Sequence, residues 1–106
     1  MTESLFLHAV EQTLARIESA LEQSGVDADC ALSGLVLTIE MAGGNRIVVN
    51  AQAPFRQLWL ASRIGAMHFE RQGDAWHDVR TGGEFFEALS RAVSDLAGAE
   101  VVLTGA

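Results

Sequence analysis

At 106 residues, with 49% of them apolar, the chain supplies enough sequence for one domain that buries roughly two thirds of its unfolded surface. Fourteen acidic residues against seven basic ones leave a formal net charge of -7, and no basic patch is visible, which argues against a phosphate-neutralising partner such as nucleic acid. The single cysteine, Cys30, excludes an intramolecular disulfide and cannot by itself build a thiolate metal site, so a reducing compartment is expected.

The chain opens Met1-Thr2-Glu3-Ser4, without the basic and apolar regions of a secretory signal or the arginine-rich character of a transit peptide. No apolar run approaches the ~20 residues that span a membrane. A cytoplasmic protein with no membrane partner is the expectation. All seven basic residues are arginine.

From about Glu3 to Gln23 the period is helical: Phe6, Val10, Thr13, Leu14, Ile17 and Leu21 recur at three- and four-residue steps, and Gly25 is a natural stop. At ~100° per residue, Glu11, Glu18 and Glu22 fall within about 40° of one another, to one side of that apolar stripe. They form an acidic flank on the helix. Leu35, Leu37, Ile39 and Met41 then alternate with Val36, Thr38 and Glu40, and Ala42-Gly43-Gly44-Asn45 reverses the chain into Ile47 to Val49, a hairpin.

The stretch from Asn50 to Phe69 reads as strand, turn, strand. Strand side chains alternate between faces, so with Leu58 and Leu60 inward, Gln57, Trp59 and Ala61 share the opposite face. Ile47 and Val49 fit the inner side, with Asn50 and Gln52 outside; Met67 and Phe69 fit inside, with His68 and Glu70 outside. An outer face bearing Asn50, Gln52, Gln57, Trp59 and His68 is suited to contact. Pro54 lies between strands, where its missing donor costs nothing.

A second reversal at Gln72-Gly73-Asp74 separates Met67 to Glu70 from Ala75 to Val79, in which Trp76 is assigned to packing. The last helix is expected to begin at Thr81-Gly82-Gly83-Glu84, whose spacing fits a capping box, and to bury Phe85 or Phe86, Leu89, Val93 and Leu96 before Gly98. The closing Glu100 to Thr104 segment is apolar enough to pack back on the domain. Helix, about six strands, helix gives an α+β fold. Its mostly antiparallel sheet carries both helices on one face and leaves the other open, in a single domain over residues 1–106.

Asn50, Gln52, Pro54, Gln57, Trp59, Leu60, Ala61, Gly65, Gly73 and Trp76, at their spacings and within a helix, sheet, helix order, make the chain resemble the frataxin family over its whole length. The absent transit peptide points to its bacterial members. The resemblance implies an α/β sandwich that serves as an iron-linked accessory or regulator of iron-sulfur cluster assembly. It implies weak ferrous or ferric iron binding on an acidic ridge, with no tightly bound cofactor, and docking on a cysteine desulfurase and a cluster scaffold. Carried over by position, the ridge is Glu11, Glu18, Glu22, Asp27 and Asp29. The docking face is Asn50, Gln52, Gln57 and Trp59, with His68 alongside. A monomer without metal is expected.

Carboxylate oxygens are hard ligands suited to iron, and a row of them on an exposed helix attracts cations without enclosing any one. Water and salt keep such sites weak. Ser19, Gln23, Gly25 and Ala31 stand where further acids would be expected in a bacterial frataxin, which implies fewer or weaker iron sites. Two other readings compete: an interaction module anchored by Trp59 without a metal role, and a histidine-based metal or haem binder using His68. His8 and His77 read as surface residues, and Cys30 as a small buried one. No nucleophile elbow, phosphate loop or metal-hydrolase motif is present, so no enzyme is expected.

Overall fold

A 22-residue helix, α1 (Glu3–Ser24), leads into six strands: β1 (Ala28–Ser33), β2 (Val36–Met41), β3 (Arg46–Gln52), β4 (Gln57–Ser62), β5 (Gly65–Gln72) and β6 (Ala75–Asp78). A second helix, α2 (Phe85–Ala97), follows. The computed structural model describes residues 1–105.

The start and stop of α1 follow from its sequence. The Thr2 hydroxyl accepts from the Leu5 amide at 3.2 Å, covering a donor that has no partner inside the helix. At the other end Gly25 takes φ 75°, a left-handed conformation that a side chain disfavours, and its amide closes on the Glu22 carbonyl. Between them the expected stripe of Phe6, Val10, Thr13, Leu14, Ile17 and Leu21 is buried throughout, joined by Ala9.

The strands lie in sequence order, each antiparallel to the next. One face of this meander supplies Leu37, Ile39, Met41, Ile47, Val49, Leu58, Leu60, Phe69 and Trp76 to a single core with the buried faces of both helices. The expected architecture is therefore the observed one, helices on one side and an uncovered face on the other. Both Phe85 and Phe86 are buried, and edge-to-face contacts run from Phe69 to Phe85 (5.1 Å) and from Phe85 to Phe86 (5.4 Å). Trp76 packs edge-on against Phe6, with ring centroids 5.9 Å apart. Its indole N–H donates to the Thr13 hydroxyl at 2.8 Å, and that hydroxyl donates to the Ala9 carbonyl at 2.8 Å. A threonine on the apolar stripe thus satisfies the one polar atom that a buried tryptophan brings inside.

After α2 the chain runs back along that helix, held by two of its serines. The Ser94 hydroxyl accepts from the Val101 amide at 2.9 Å, and the Ser90 hydroxyl accepts from the Leu103 amide at 2.8 Å. Leu103 is buried and Val102 faces outward.

Two expectations need correction. The start of α2 is not a capping box on Thr81: the helix begins at Phe85, and the Glu84 carboxylate caps it by accepting from the Phe86 amide at 2.9 Å. Gly82 sits at φ 78°, which cannot continue into a right-handed helix, and the Thr81 hydroxyl accepts instead from Gly83 at 3.1 Å within a turn that closes β6. Cys30 is exposed rather than buried. It pairs with Ile39 and so lies on the helix-covered side, but β1 is the outermost strand, and residues 29–33 are all exposed.

Candidate docking face and acidic edge

The open face is ordered by the cross-strand register. Val36, Asn50, Trp59 and His68 form one row across β2 to β5, and Gln52, Gln57, Glu70 and His77 form the next across β3 to β6. The five residues expected to form a contact face, Asn50, Gln52, Gln57, Trp59 and His68, are therefore brought together, each half-buried. Leu58 and Leu60 are buried on the other side, so the register is the one the leucines dictate.

Trp59 is held in one orientation. Its ring stacks on His68 with centroids 4.0 Å apart and planes within 8°, a cross-strand pair at its closest useful spacing. Its indole N–H donates to Gln57 Oε1 at 2.9 Å, while Gln57 Nε2 donates to Glu70 Oε2 at 3.3 Å. The two ends of the Gln57 amide thus have opposite partners, which fixes which way it faces. On the far side of Trp59 stands Phe55, 6.1 Å away and within 16° of parallel. Three rings, Phe55, Trp59 and His68, make a stack across the open face.

Phe55 escapes a period-two reading because it belongs to a short 3-10 turn, Ala53–Phe55, outside any strand. It is 60% exposed. What places it is Arg56, which takes φ 51° with its amide bonded to the Ala53 carbonyl. The Arg56 side chain returns to the same carbonyl and lies over the Phe6 ring at 5.9 Å. A left-handed arginine pinned at both ends turns the preceding residue outward. The signal was the Pro54 turn itself, whose side chains the alternation rule does not cover.

The acidic candidates lie elsewhere, at the junction of α1 with β1. Glu18, Glu22 and Asp29 line a cavity of about 400 Å³ there, with Cys30 beside them. Glu11 lies two helical turns before Glu18, and Asp27 in the link to β1; neither lines that cavity. All five carboxylates are exposed. Among the described residues, no group of three His, Cys, Asp or Glu side chains could hold a metal ion. Partial burial pushes the Cys30 thiol above its ordinary pKa, and the charges of Glu18 and Asp29 push it further. That edge is electrostatically negative and offers single oxygen ligands rather than a chelating shell. The histidines do not converge: His77 Nδ1 donates to the Gly82 carbonyl at 3.0 Å, and His8 stands exposed on α1. No helix among the described residues is long and apolar enough to cross a membrane.

The chain is similar to known proteins over nearly its whole length. Residues 1–99 match the model of the frataxin-like domain. The "Iron-sulfur cluster assembly protein CyaY" of Herminiimonas arsenicoxydans is 47% identical over 111 aligned positions, covering 100% of this chain and 99% of that protein. Among solved structures, the frataxin of Psychromonas ingrahamii superposes with a TM-score of 0.91 at 33% identity, over 98% of this chain and 99% of that one. The trimeric frataxin of the yeast Saccharomyces cerevisiae, complexed with ferrous iron, superposes with a TM-score of 0.67 at 26% identity, over 92% of this chain and 88% of that one.

Proposed function

The chain belongs to the frataxin family, and from that premise we propose that it is an accessory and regulator of iron-sulfur cluster assembly, with no catalytic step of its own. Iron, ferrous or ferric, is its cargo. The acidic edge meets that cargo loosely: Glu18, Glu22 and Asp29 at the α1 and β1 junction form the centre, with Glu11 and Asp27 extending it. The open face docks on the assembly machinery, a cysteine desulfurase and a cluster scaffold, through Trp59 and the amides of Asn50, Gln52 and Gln57, with His68 alongside.

The observation that carries the reading is the separation of two unlike surfaces. Exposed carboxylates at one edge, with no three-residue chelating group among the described residues, suit weak and exchangeable binding. An aromatic stack held rigid by Gln57 and flanked by side-chain amides suits a protein partner, since a preorganised anchor loses little freedom on binding. Relatives whose names carry iron-sulfur cluster assembly, and a yeast frataxin complexed with ferrous iron, support the pathway and the cargo.

The test is an anaerobic titration with ferrous iron that follows backbone amide signals, repeated with the desulfurase. Iron should perturb α1 from Glu11 to Glu22 and the Asp27 to Asp29 segment, and Glu18→Ala with Glu22→Ala should weaken that response about tenfold, as expected when two charged ligands are removed. The desulfurase and scaffold should perturb the open face, and Trp59→Ala should abolish that response while leaving iron binding intact. If the double glutamate variant binds iron as the parent does, the edge assignment is wrong; shifts centred on His68 would assign the metal to the histidine instead.

A further inference from the structure

The contacts that hold Trp59 begin at a residue outside the five of the docking face. Trp59 is oriented by Gln57, and Gln57 in turn by Glu70, its direct cross-strand partner on β5. Glu70 is exposed, whereas Gln57, Trp59 and His68 are half-buried. Its carboxylate is in no ion pair among the described residues, where the pairs are Arg46 with Glu40 and Arg63 with Asp95. Its other neighbour in the row, His77 on β6, turns Nδ1 to the Gly82 carbonyl. Among the described residues, the hydrogen bond that the Glu70 side chain makes is the one from Gln57 Nε2, at 3.3 Å.

A primary amide has two unlike ends, an oxygen that only accepts and a nitrogen that only donates. With Oε1 toward the Trp59 N–H and Nε2 toward the Glu70 carboxylate, both contacts are attractive. Turned by half a rotation, the same amide sets oxygen against carboxylate and N–H against N–H, two repulsive contacts in place of two bonds. Trp59 selects between these orientations through one neutral hydrogen bond. Glu70 adds a charge-assisted one, and an ionised carboxylate never takes the donor's part. The selection reaches the ring, because the indole N–H is held toward residue 57 only while an acceptor stands there. That ring is the one stacked on His68 at 4.0 Å, with Phe55 at 6.1 Å on its other side.

We propose that Glu70 is a positioning residue for docking: without touching the partner, it holds the Trp59 ring, through the Gln57 amide, in the orientation that the partner meets. The assignment rests on the open face being the docking surface, and adds to it a residue that acts as a hydrogen-bond acceptor rather than as a charge. The two roles are separable by substitution. Glu70→Gln keeps an acceptor for Gln57 Nε2 and removes the charge; Glu70→Ala removes both; Glu70→Lys substitutes a donor, which draws Gln57 Oε1 to itself and reverses the amide.

Two measurements test this. In the free protein, the Trp59 indole N–H signal and the Gln57 side-chain amide signals are compared across the three variants. Glu70→Gln should leave them near the parent's, Glu70→Ala should shift them, and Glu70→Lys should move them furthest. Affinity for the desulfurase and scaffold together is then measured for the same proteins. Glu70→Gln should bind within about twofold of the parent and Glu70→Ala about fivefold more weakly, the scale of one net hydrogen bond, with Glu70→Lys weaker still. In a Gln57→Ala background, Glu70→Ala should weaken binding no further, since the relay is already cut. A loss with Glu70→Gln equal to that with Glu70→Ala would mean that the charge itself attracts the partner. An undiminished loss in the Gln57→Ala background would mean direct contact with the partner, and either result overturns the positioning role. Indole and amide signals indifferent to Glu70→Ala and Glu70→Lys overturn it as well. If the parent binds neither partner, the docking reading fails and the role in docking falls with it, while the free-protein signals separately decide whether Glu70 orients Gln57 and Trp59.

Discussion

The two faces of β4 and β5 share one backbone and are held in order by different means. Inward, Leu58, Leu60 and Phe69 are fully enclosed, and no buried side-chain polar atom among the described residues lacks a partner. Outward, one residue away in sequence, Gln57, Trp59 and His68 are only half-covered, yet are as closely ordered by stacking and hydrogen bonds. The difference teaches that order on the outer face is not the by-product of burial. Hydrophobic area holds the inner face; the outer one is held by a chain of specific contacts that runs from Glu70 through Gln57 to Trp59 and His68.

The strongest break in that comparison is inside. Leu60→Ala should cost about 2 to 5 kcal/mol of unfolding free energy, from lost transfer energy and the cavity left behind. Denaturant unfolding measures it. A loss below 1 kcal/mol would mean that the core collapses around the gap and that β4 is not the centre of the sheet's packing.

Next is the one polar link through the core. Thr13→Val keeps the shape and removes the acceptor of the Trp76 indole N–H, leaving a buried donor without a partner. About 1 to 3 kcal/mol should be lost. Trp76→Phe in the same background removes the orphaned donor, so its additional cost should be smaller than in the parent. Equal costs in both backgrounds would show that the hydrogen bond contributes nothing beyond packing.

How much of this was legible in the sequence depends on which physical rule governs each residue. The 3.6-residue period of α1 and the alternation of Leu58, Trp59 and Leu60 are set by hydrophobic burial, which composition displays directly, so helix, strands, register and the outward Trp59 were all readable. So was the assembly of Asn50, Gln52, Gln57, Trp59 and His68 on one face, because cross-strand neighbours follow once the register is fixed. Phe55 was not readable: its position follows from the left-handed Arg56, a backbone state that an arginine does not announce. Thr81 mimicked a cap because its spacing to Glu84 was right, while Gly82 breaks the helix between them. Cys30 was misread because alternation tells which side a residue faces, but not whether a helix reaches the outermost strand.

Trp59→Ala sharpens the comparison from the outer side. Its stability cost should be below that of Leu60→Ala, about 1 kcal/mol for the lost stack and cross-strand pairing. Its effect on the docking partner should be much larger, at least tenfold in affinity for a buried aromatic anchor. Phe55→Ala should leave stability almost unchanged and weaken docking by a smaller factor, since it extends the same stack from outside the sheet. If Phe55→Ala changes docking and Trp59→Ala does not, the contact lies at the Pro54 turn rather than on the open face.

The smallest expected effect tests the acidic edge through Cys30. Partial burial raises the thiol pKa, and Glu18 and Asp29 raise it further, so at a fixed pH near 8 less of it is thiolate than in an unfolded chain. Alkylation of the folded protein should accordingly be slower than that of the denatured one. Glu18→Gln removes a negative neighbour, lowers the pKa toward its ordinary value and should speed alkylation about twofold, the scale of one screened surface charge. Trp59→Ala, on the other face, should leave the rate unchanged. A divalent cation that occupies the edge should act in the same direction as Glu18→Gln and should act less in that variant, because it neutralises the same carboxylate. A rate indifferent to both would mean that burial alone sets the thiol, and that the charges of Glu18 and Asp29 are too well hydrated to be felt even by their nearest titratable neighbour.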